Sequence, residues 1–328
     1  MRLSARAAAW AAGALVALLG VAALEAPALY PEWLRLRHGP ASRELPRPSY
    51  SVSGEWVDDW YVVERIDAST FAIGEPRYYQ GNVSYLIVGA ARAVLYDAGP
   101  GVRDLAPVVA RLTALPVTVV PSHLHFDHVG ALGHVGRTAL LDLPALRGRI
   151  RAGRLTLRRE EFLGYLDGLA PPTFPVDEWW PAGATVDLGG RALRVIATPG
   201  HTPDSLALYD AARHQLFAGD FAYPGHLYAF LPGASRKAYL ESTRRLLATI
   251  DPLTRIYAGH AADPAPQFRA PVLGTGDLKA LATTLEALAA GRAAAGAPGS
   301  LETVLGYPRV YPIRDGLSFA TGFAWNNR

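Results

Sequence analysis

The chain has 328 residues, a formal net charge of +3, half of its residues apolar and a tenth aromatic. That length allows one large domain or two ordinary ones with a sizeable core, and the charge is too weak to imply a nucleic-acid partner. There is no cysteine, which excludes disulfides, thiolate metal ligands and a cysteine nucleophile, so any metal must be held by nitrogen and oxygen.

Arg2 and Arg6 precede an uncharged apolar run over residues 7–24. A basic flank before such a run reads as a secretory signal, with Ala26-Pro27-Ala28 as a small-residue cleavage site, or as an uncleaved anchoring helix with the arginines inside. A bilayer core takes about 20 helical residues, so the run is slightly short for an anchor. Either reading makes 1–28 a targeting segment and places the rest outside the cytoplasm, secreted, periplasmic or tethered to a membrane. A buried alanine-rich helix is the plain alternative. Residues 29–60, rich in proline, tryptophan and arginine and without periodicity, read as a linker and wrapping arm.

From residue 61 to 328 a single α/β domain is expected. The runs 83–89 and 93–99 read as a strand pair. Leu105, Val108, Val109, Leu112 and Leu115 follow helical spacing. The run 117–123 reads as a strand, and so do 192–201, 205–210 and 215–220. Tyr239, Leu240, Thr243, Leu246, Leu247 and Ile250 mark a helix with Ser235 as its N-cap. Asp277 is the expected cap of another, with Leu278, Leu281, Leu285 and Leu288 on one face and Gly291 at its end. Residues 309–321 suit a closing strand or hairpin. Strands and helices mixed in this way argue for a layered α/β architecture.

The strand at 117–123 runs into PSHLHFDHVG (121–130), which packs three of the nine histidines and an aspartate into six positions. Alternate side chains of an extended segment share a face, so His123 and His125 point the same way, and Asp127 and His128 follow where the chain turns. Neutral imidazole and carboxylate suit zinc. Three more candidate ligands end strand-like runs downstream: His201 in TPGH, Asp220 in AGD and His260 in YAGH. Strand ends meeting at one sheet edge are where α/β proteins commonly build sites. His38, His134, His214 and His226 fit no ligand position. Surface or structural roles suit the first three, and His226, near Asp220, stays open.

The pattern His123-x-His125-x-Asp127-His128, followed by His201, Asp220 and His260, resembles the full metal-ligand set of the metallo-β-lactamase superfamily. VLYDAG likewise resembles the family's early strand ending in an aspartate, here Asp97. The resemblance spans about residues 60–265. It implies an αβ/βα four-layer sandwich with two divalent metal ions, zinc being expected and iron or manganese also compatible. His123, His125 and His201 would hold one ion and Asp127, His128 and His260 the other. Asp220 would bridge both, and Asp97 would steady the loop that carries the histidines.

A pair of ions about 3.5–4 Å apart makes a hydroxide nucleophile of a bridging water and polarises the group attacked. The expected enzyme is therefore a metal-dependent hydrolase of a small molecule, with Asp127 also orienting the nucleophile. Asp220 is unlike the β-lactamase branch, where the bridging carboxylate is absent. It resembles instead the glyoxalase-II-type thioesterases, the lactonases, and the phosphodiesterase and nuclease branches. His125 stands where the superfamily's iron flavoproteins carry a glutamate.

Tyr223, three residues after Asp220, resembles a lactonase-branch tyrosine that hydrogen-bonds the substrate carbonyl, and is the second catalytic candidate. A core or rim tyrosine is the alternative. Residues 223–235 resemble, more loosely, a loop of acyl-CoA-thioesterase-like members. A carboxylic ester, thioester or lactone is the expected substrate. Phosphodiester hydrolysis, β-lactam hydrolysis and a non-catalytic metal- or partner-binding module are the alternatives.

Residues 144–182 carry Arg147, Arg149, Arg151, Arg154, Arg158 and Arg159, then Phe162, Tyr165, Phe174, Trp179 and Trp180. Three readings are open: a lid insertion beside the site, a solvated basic helix with a packed tail, or a contact with anionic lipid.

Overall fold

The computed structural model describes residues 44–48, 51–261, 267–295 and 309–321. The segment 1–28, with the helix expected over 7–24, lies outside the described residues, as does most of 29–60 up to residue 43. Among the described residues no helix is long and apolar enough to cross a membrane.

The domain is a mixed α/β fold built on two large sheets. The first runs, in spatial order, Glu178–Trp180, Arg137–Leu141, Val117–Val120, Ala93–Tyr96, Val83–Val88, Thr70–Gly74, Val62–Asp67 and Glu55–Trp56. Its pairings are parallel from Glu178–Trp180 to Ala93–Tyr96 and antiparallel from there on. The second runs Thr185–Asp187, Ala192–Ala197, Leu206–Asp210, Gln215–Gly219, Arg255–Ala258 and Val272–Gly274. Only Gln215–Gly219 and Arg255–Ala258 pair in parallel in this sheet.

Burial explains why these runs make two-faced strands. Leu206–Asp210 and Gln215–Gly219 are buried at every position, as expected of strands covered on both sides. Alternation sorts their side chains. Tyr85, Ile87, Val94, Tyr96 and Val120 of the first sheet share one apolar cluster with Val195, Leu208, Phe217 and Tyr257 of the second. Leu86, Leu95, Val119 and Leu140 turn the other way, onto Val108 and Val109 of helix Ala106–Leu112. Ala207, Leu216, Ala218 and Ile256 turn outward from the second sheet, onto helices Arg236–Thr249 and Thr275–Ala289.

Ser235 caps helix Arg236–Thr249 by accepting from the Ala238 amide. Asp277, expected as the cap of the next helix, is not its cap. Gly274 occupies that position, and Asp277 reaches back from the first turn to accept from the Gly274 amide at 2.8 Å. The closing hairpin forms from Arg309–Arg314 and Leu317–Thr321. Leu317–Thr321 pairs in parallel with Gly225–Ala229, which gives a third, small sheet.

In 144–182 several arginines are engaged close to home. Arg147 pairs with Asp142 and Arg149 with Glu161, Arg154 donates to the Thr173 carbonyl, and Arg159 lies over the Tyr165 ring. Phe162, Phe174 and Trp180 are buried core residues.

Candidate metal centre

Every candidate ligand leaves the end of a strand. Strand Val117–Val120 delivers His123 and His125, and the short 3-10 turn Phe126–His128 delivers Asp127 and His128. His201, Asp220 and His260 follow strands Ala192–Ala197, Gln215–Gly219 and Arg255–Ala258. All seven side chains are buried.

They converge in three overlapping groups: His123, His125 and His201; Asp127, His128 and His260; and His123, His128 and Asp220. Within each group the potential ligand atoms lie no more than 4.8 Å apart. In the first group, His125 Nδ1 is 2.8 Å from His123 Nε2 and 3.1 Å from His201 Nε2. In the second, Asp127 Oδ2 is 3.3 Å from both His128 Nε2 and His260 Nε2. Asp220 touches both: Oδ1 is 3.4 Å from His128 Nε2, and Oδ2 is 3.1 Å from His260 Nε2 and 3.9 Å from His201 Nε2.

Two glycines make room for this packing. A Cβ on Gly259 would lie 2.7 Å from Asp220 Oδ1 and 3.0 Å from His128 Cε1. Gly219 has a φ of +51°, and a Cβ there would meet Ser122 at 2.3 Å, so only glycine fits.

The outer hydrogen bonds orient the rings. His201 Nδ1 donates to the Tyr228 carbonyl at 2.7 Å, and His260 Nδ1 to the Gln80 carbonyl at 3.0 Å. Each bond fixes the tautomer and turns the Nε2 lone pair inward. Ser122 Oγ is 3.0 Å from His123 Nδ1. Asn82 Nδ2 donates to the Asp127 carbonyl at 2.9 Å and to its Oδ2 at 3.1 Å. Asp97, at φ +66°, accepts from the Ser122 amide at 2.6 Å, and its other oxygen lies 3.1 Å from His128 Nδ1. An aspartate in the left-handed region is uncommon, and here it ties the start of the histidine loop to its end. Ser122, Asn82 and the carbonyls of Gln80 and Tyr228 have no signature in the sequence. Ser122 is a neighbour of the motif, Asn82 merely precedes a strand, and a backbone carbonyl carries no residue signal.

Electrostatics divides the site in two. Burial, with neighbouring imidazoles adding, pulls His123 well below its ordinary pKa, and burial brings His125 down to about 3 and lowers His201. These three stay neutral, the form that ligates metal. Burial acts against protonation of His128 and His260 too, but the surrounding carboxylates outweigh it. Asp127, Asp97 and Asp220 raise His128, and Asp220 and Asp127 raise His260. Burial likewise opposes ionisation of Asp127 and Asp220, yet His128 and His260 hold both below the usual carboxylate range.

A pair of cations fits this donor set. His128 Nε2 and Asp220 Oδ1, which face each other at 3.4 Å, are buried without a hydrogen bond, a costly arrangement unless something else satisfies such groups. Neutral imidazoles facing one another at hydrogen-bond distance have too few protons to share, whereas a cation between them would take up the three inward nitrogens, His123 Nε2, His125 Nδ1 and His201 Nε2.

Tyr223 is 8% exposed and its ring lies 5.4 Å from that of His260, centroid to centroid. Its hydroxyl donates to the His226 carbonyl. His226 itself is exposed and bonds Ser318, and His134 is exposed. His214 pairs with Asp251.

Residues 77–260, more than half of the chain, match the family model of the Metallo-beta-lactamase superfamily. The chain belongs to this superfamily. Among curated relatives it is 30% identical over 225 residues to the acyl-coenzyme A thioesterase MBLAC2 of Gallus gallus, covering 62% of this chain and 81% of the relative. It is 29% identical over 188 residues to the hydroxyacylglutathione hydrolase of Aeromonas hydrophila, covering 56% of this chain and 62% of that protein. Among solved structures, a metallo-beta-lactamase from Pontibacter korlensis aligns with a TM-score of 0.52 at 18% identity, covering 69% of this chain and 99% of its own. A metallo-beta-lactamase family protein from Thermus thermophilus aligns with a TM-score of 0.51 at 21% identity, covering 68% of this chain and 81% of its own. These two likenesses carry the fold alone. As a superfamily member with relatives named as hydrolases and thioesterases, the chain is a metal-dependent hydrolase.

Proposed function

We propose that the chain is a dinuclear, zinc-dependent hydrolase of the αβ/βα sandwich type that cleaves carboxylic thioesters, with esters and lactones as neighbouring substrates. The observation that carries this reading is Asp220, whose two oxygens face His128, His260 and His201 and so join the two ligand groups. His123, His125 and His201 would hold one cation, Asp127, His128 and His260 the other, with Asp220 shared. Bound divalent ions supply Lewis acidity and make water a nucleophile near neutral pH. The chain's own residues do the rest. The Gln80 and Tyr228 carbonyls hold two imidazoles in the ligating tautomer. Asn82 aims Asp127, and Asp97 braces the histidine loop. Tyr223, buried with its ring beside His260, would donate its phenol to the carbonyl oxygen of the substrate once released from His226. The relatives named as thioesterase and hydroxyacylglutathione hydrolase support the thioester over the phosphodiester and the β-lactam.

The test is metal analysis of the purified chain together with turnover of an acyl thioester, aryl ester, lactone, phosphodiester and β-lactam panel, with and without chelator. Two zinc equivalents and chelator-sensitive thioester cleavage are expected. Chelator-resistant turnover rejects the two-metal reading, and phosphodiester preference rejects the substrate class. The extracytoplasmic placement rests on the basic flank and apolar run of residues 1–28. The mass of the mature chain in soluble and membrane fractions tests it.

A further inference from the structure

The segment 144–182 touches the surroundings of the metal centre at two points. Phe162 packs edge-on against Phe126, inside the histidine motif, with ring centroids 6.3 Å apart. Farther along, the carboxylate of Asp167 is 3% exposed and both its oxygens are engaged: Tyr78 donates to Oδ2 at 2.7 Å and Tyr79 to Oδ1 at 3.1 Å. The two rings sit 4.8 Å apart, so one buried carboxylate clasps consecutive residues of one loop.

That loop is the one that touches the metal ligands. Gln80 offers its carbonyl to His260 and Asn82 its amide to Asp127. The loop is closed on itself, with the Glu75 amide donating to the Asn82 carbonyl, the Tyr78 amide to Glu75 and the Gly81 amide to Tyr78, at 2.9–3.0 Å. It is also bolted to the strand end below: the Ala261 amide donates to Gly81 and the Val83 amide to Gly259. A short loop held at each step cannot shift at Tyr78 and Tyr79 while staying fixed at Gln80 and Asn82. His260 and Asp127 belong to the same ligand group, with His128. His123 and His125 lean instead on Ser122 and on each other, and His201 on Tyr228.

We propose that Asp167 is a positioning residue. Through Tyr78 and Tyr79 it sets the loop that aims His260 and Asp127, and so tunes the affinity of one metal position and not the other. The proposal rests on the two-metal reading above. It assigns the 144–182 segment a task in supporting the site, independent of any contact with substrate.

The test is a two-step chelator titration of the zinc-loaded full chain, giving a dissociation constant for each ion, with Asn82→Ala as the reference that marks which step belongs to the Asp127 and His260 position. Loss of an outer hydrogen-bond partner typically weakens metal binding roughly 10–100-fold, and Asp167 acts one link further out. Asp167→Ala is therefore expected to weaken that same step by about tenfold and leave the other unchanged. Asp167→Asn, which keeps one accepting oxygen, should fall between. If Asp167→Ala does not fold, Tyr78→Phe removes one clasp at constant shape and carries the same expectation in smaller measure. Unchanged constants, or equal weakening of both steps, overturn the proposal while the two-metal reading stands. A wild-type chain that takes up fewer than two ions overturns both.

Discussion

The same strands serve two regions that treat buried polar groups in opposite ways. Between the sheets, Phe217 lies among Tyr85, Tyr96 and Tyr257 with centroids 5.2–6.2 Å away. Tyr85 donates its hydroxyl to the Ala258 carbonyl at 2.8 Å, and Tyr96 to Leu206 at 2.7 Å. Where those strands end, His128 Nε2 and Asp220 Oδ1 are buried without a hydrogen bond and face each other at 3.4 Å. The two tyrosine hydroxyls are satisfied within the interior and tie its strands together. The strand ends leave polar atoms facing one another, an arrangement that a bound cation would satisfy. Unpaired buried groups at a functional site cost stability that the rest of the fold must offset.

The sharpest way to break this contrast is to remove the shared carboxylate. Asp220→Ala should strip the centre of metal and lower turnover by more than the roughly 10–100-fold that an outer partner costs. Metal content and initial rates on the preferred substrate are the readouts, and a metal-replete, active variant would dissolve the distinction between the two regions. A second departure lies beside the site. Glu75 is 2% exposed, and its nearest donor is Trp60 Nε1 at 2.6 Å. Burial raises its pKa from 4.5 to about 8 despite that bond, with Asp127 adding. Below 4.5 the carboxyl is neutral in the folded and unfolded chains alike. Between 4.5 and about 8 the unfolded chain releases a proton that the folded chain keeps, so stability falls as pH rises through that window. Glu75→Gln should remove a pH dependence on the order of a few kcal/mol, read as the difference between variant and wild-type urea midpoints at the two ends of the window.

How much of this was legible beforehand differs between the two regions. The ligand set could be read because each member is a histidine or aspartate at the end of an apolar run, and strand ends sharing an edge need no long-range knowledge. The fold followed from burial on alternate faces. Residues such as Leu86 and Tyr85 are both simply apolar in sequence, and only the packed sheets decide which faces a helix and which faces the second sheet. What stayed hidden was the supporting layer. Asn82, Gln80 and Tyr228 act through an amide or a backbone carbonyl placed by chain segments far from the motif. Asp277 was misplaced by three positions, because a carboxylate near a helix start caps from the first turn as readily as from the cap itself. The arginines of 144–182 left a lid, a solvated basic helix and a lipid contact open from composition, and the structure shows several of them taken up by nearby acids, carbonyls and rings.

Within the interior, Tyr96→Phe should cost stability alone. It leaves the Leu206 carbonyl without its donor, a loss of about 1–3 kcal/mol, while metal content and turnover per folded molecule stay at the wild-type level. Denaturant unfolding alongside metal analysis separates the two, and loss of metal would show that the aromatic core and the site are not independent.

Tyr223 stands on the border between the two regions, and its substitution sharpens the comparison most finely. Its hydroxyl is partnered, like those of the core, but with the carbonyl of His226, on an exposed residue of the strand that also orients His201. Its ring, unlike theirs, leans on a candidate ligand. Burial, with Tyr228 and Asp220 adding, holds its pKa well above the ordinary tyrosine value, so it is a proton-bearing donor throughout the neutral range. A phenol that turns from a backbone carbonyl to a substrate oxygen exchanges one hydrogen bond for another, and only the difference lowers the barrier. Tyr223→Phe should therefore reduce kcat by about tenfold, the equivalent of one ordinary hydrogen bond of about 1.4 kcal/mol, with zinc content and unfolding midpoint nearly unchanged. A drop in stability with kcat intact would move Tyr223 to the interior side of the border, and the substrate oxygen would then have to find its donor elsewhere.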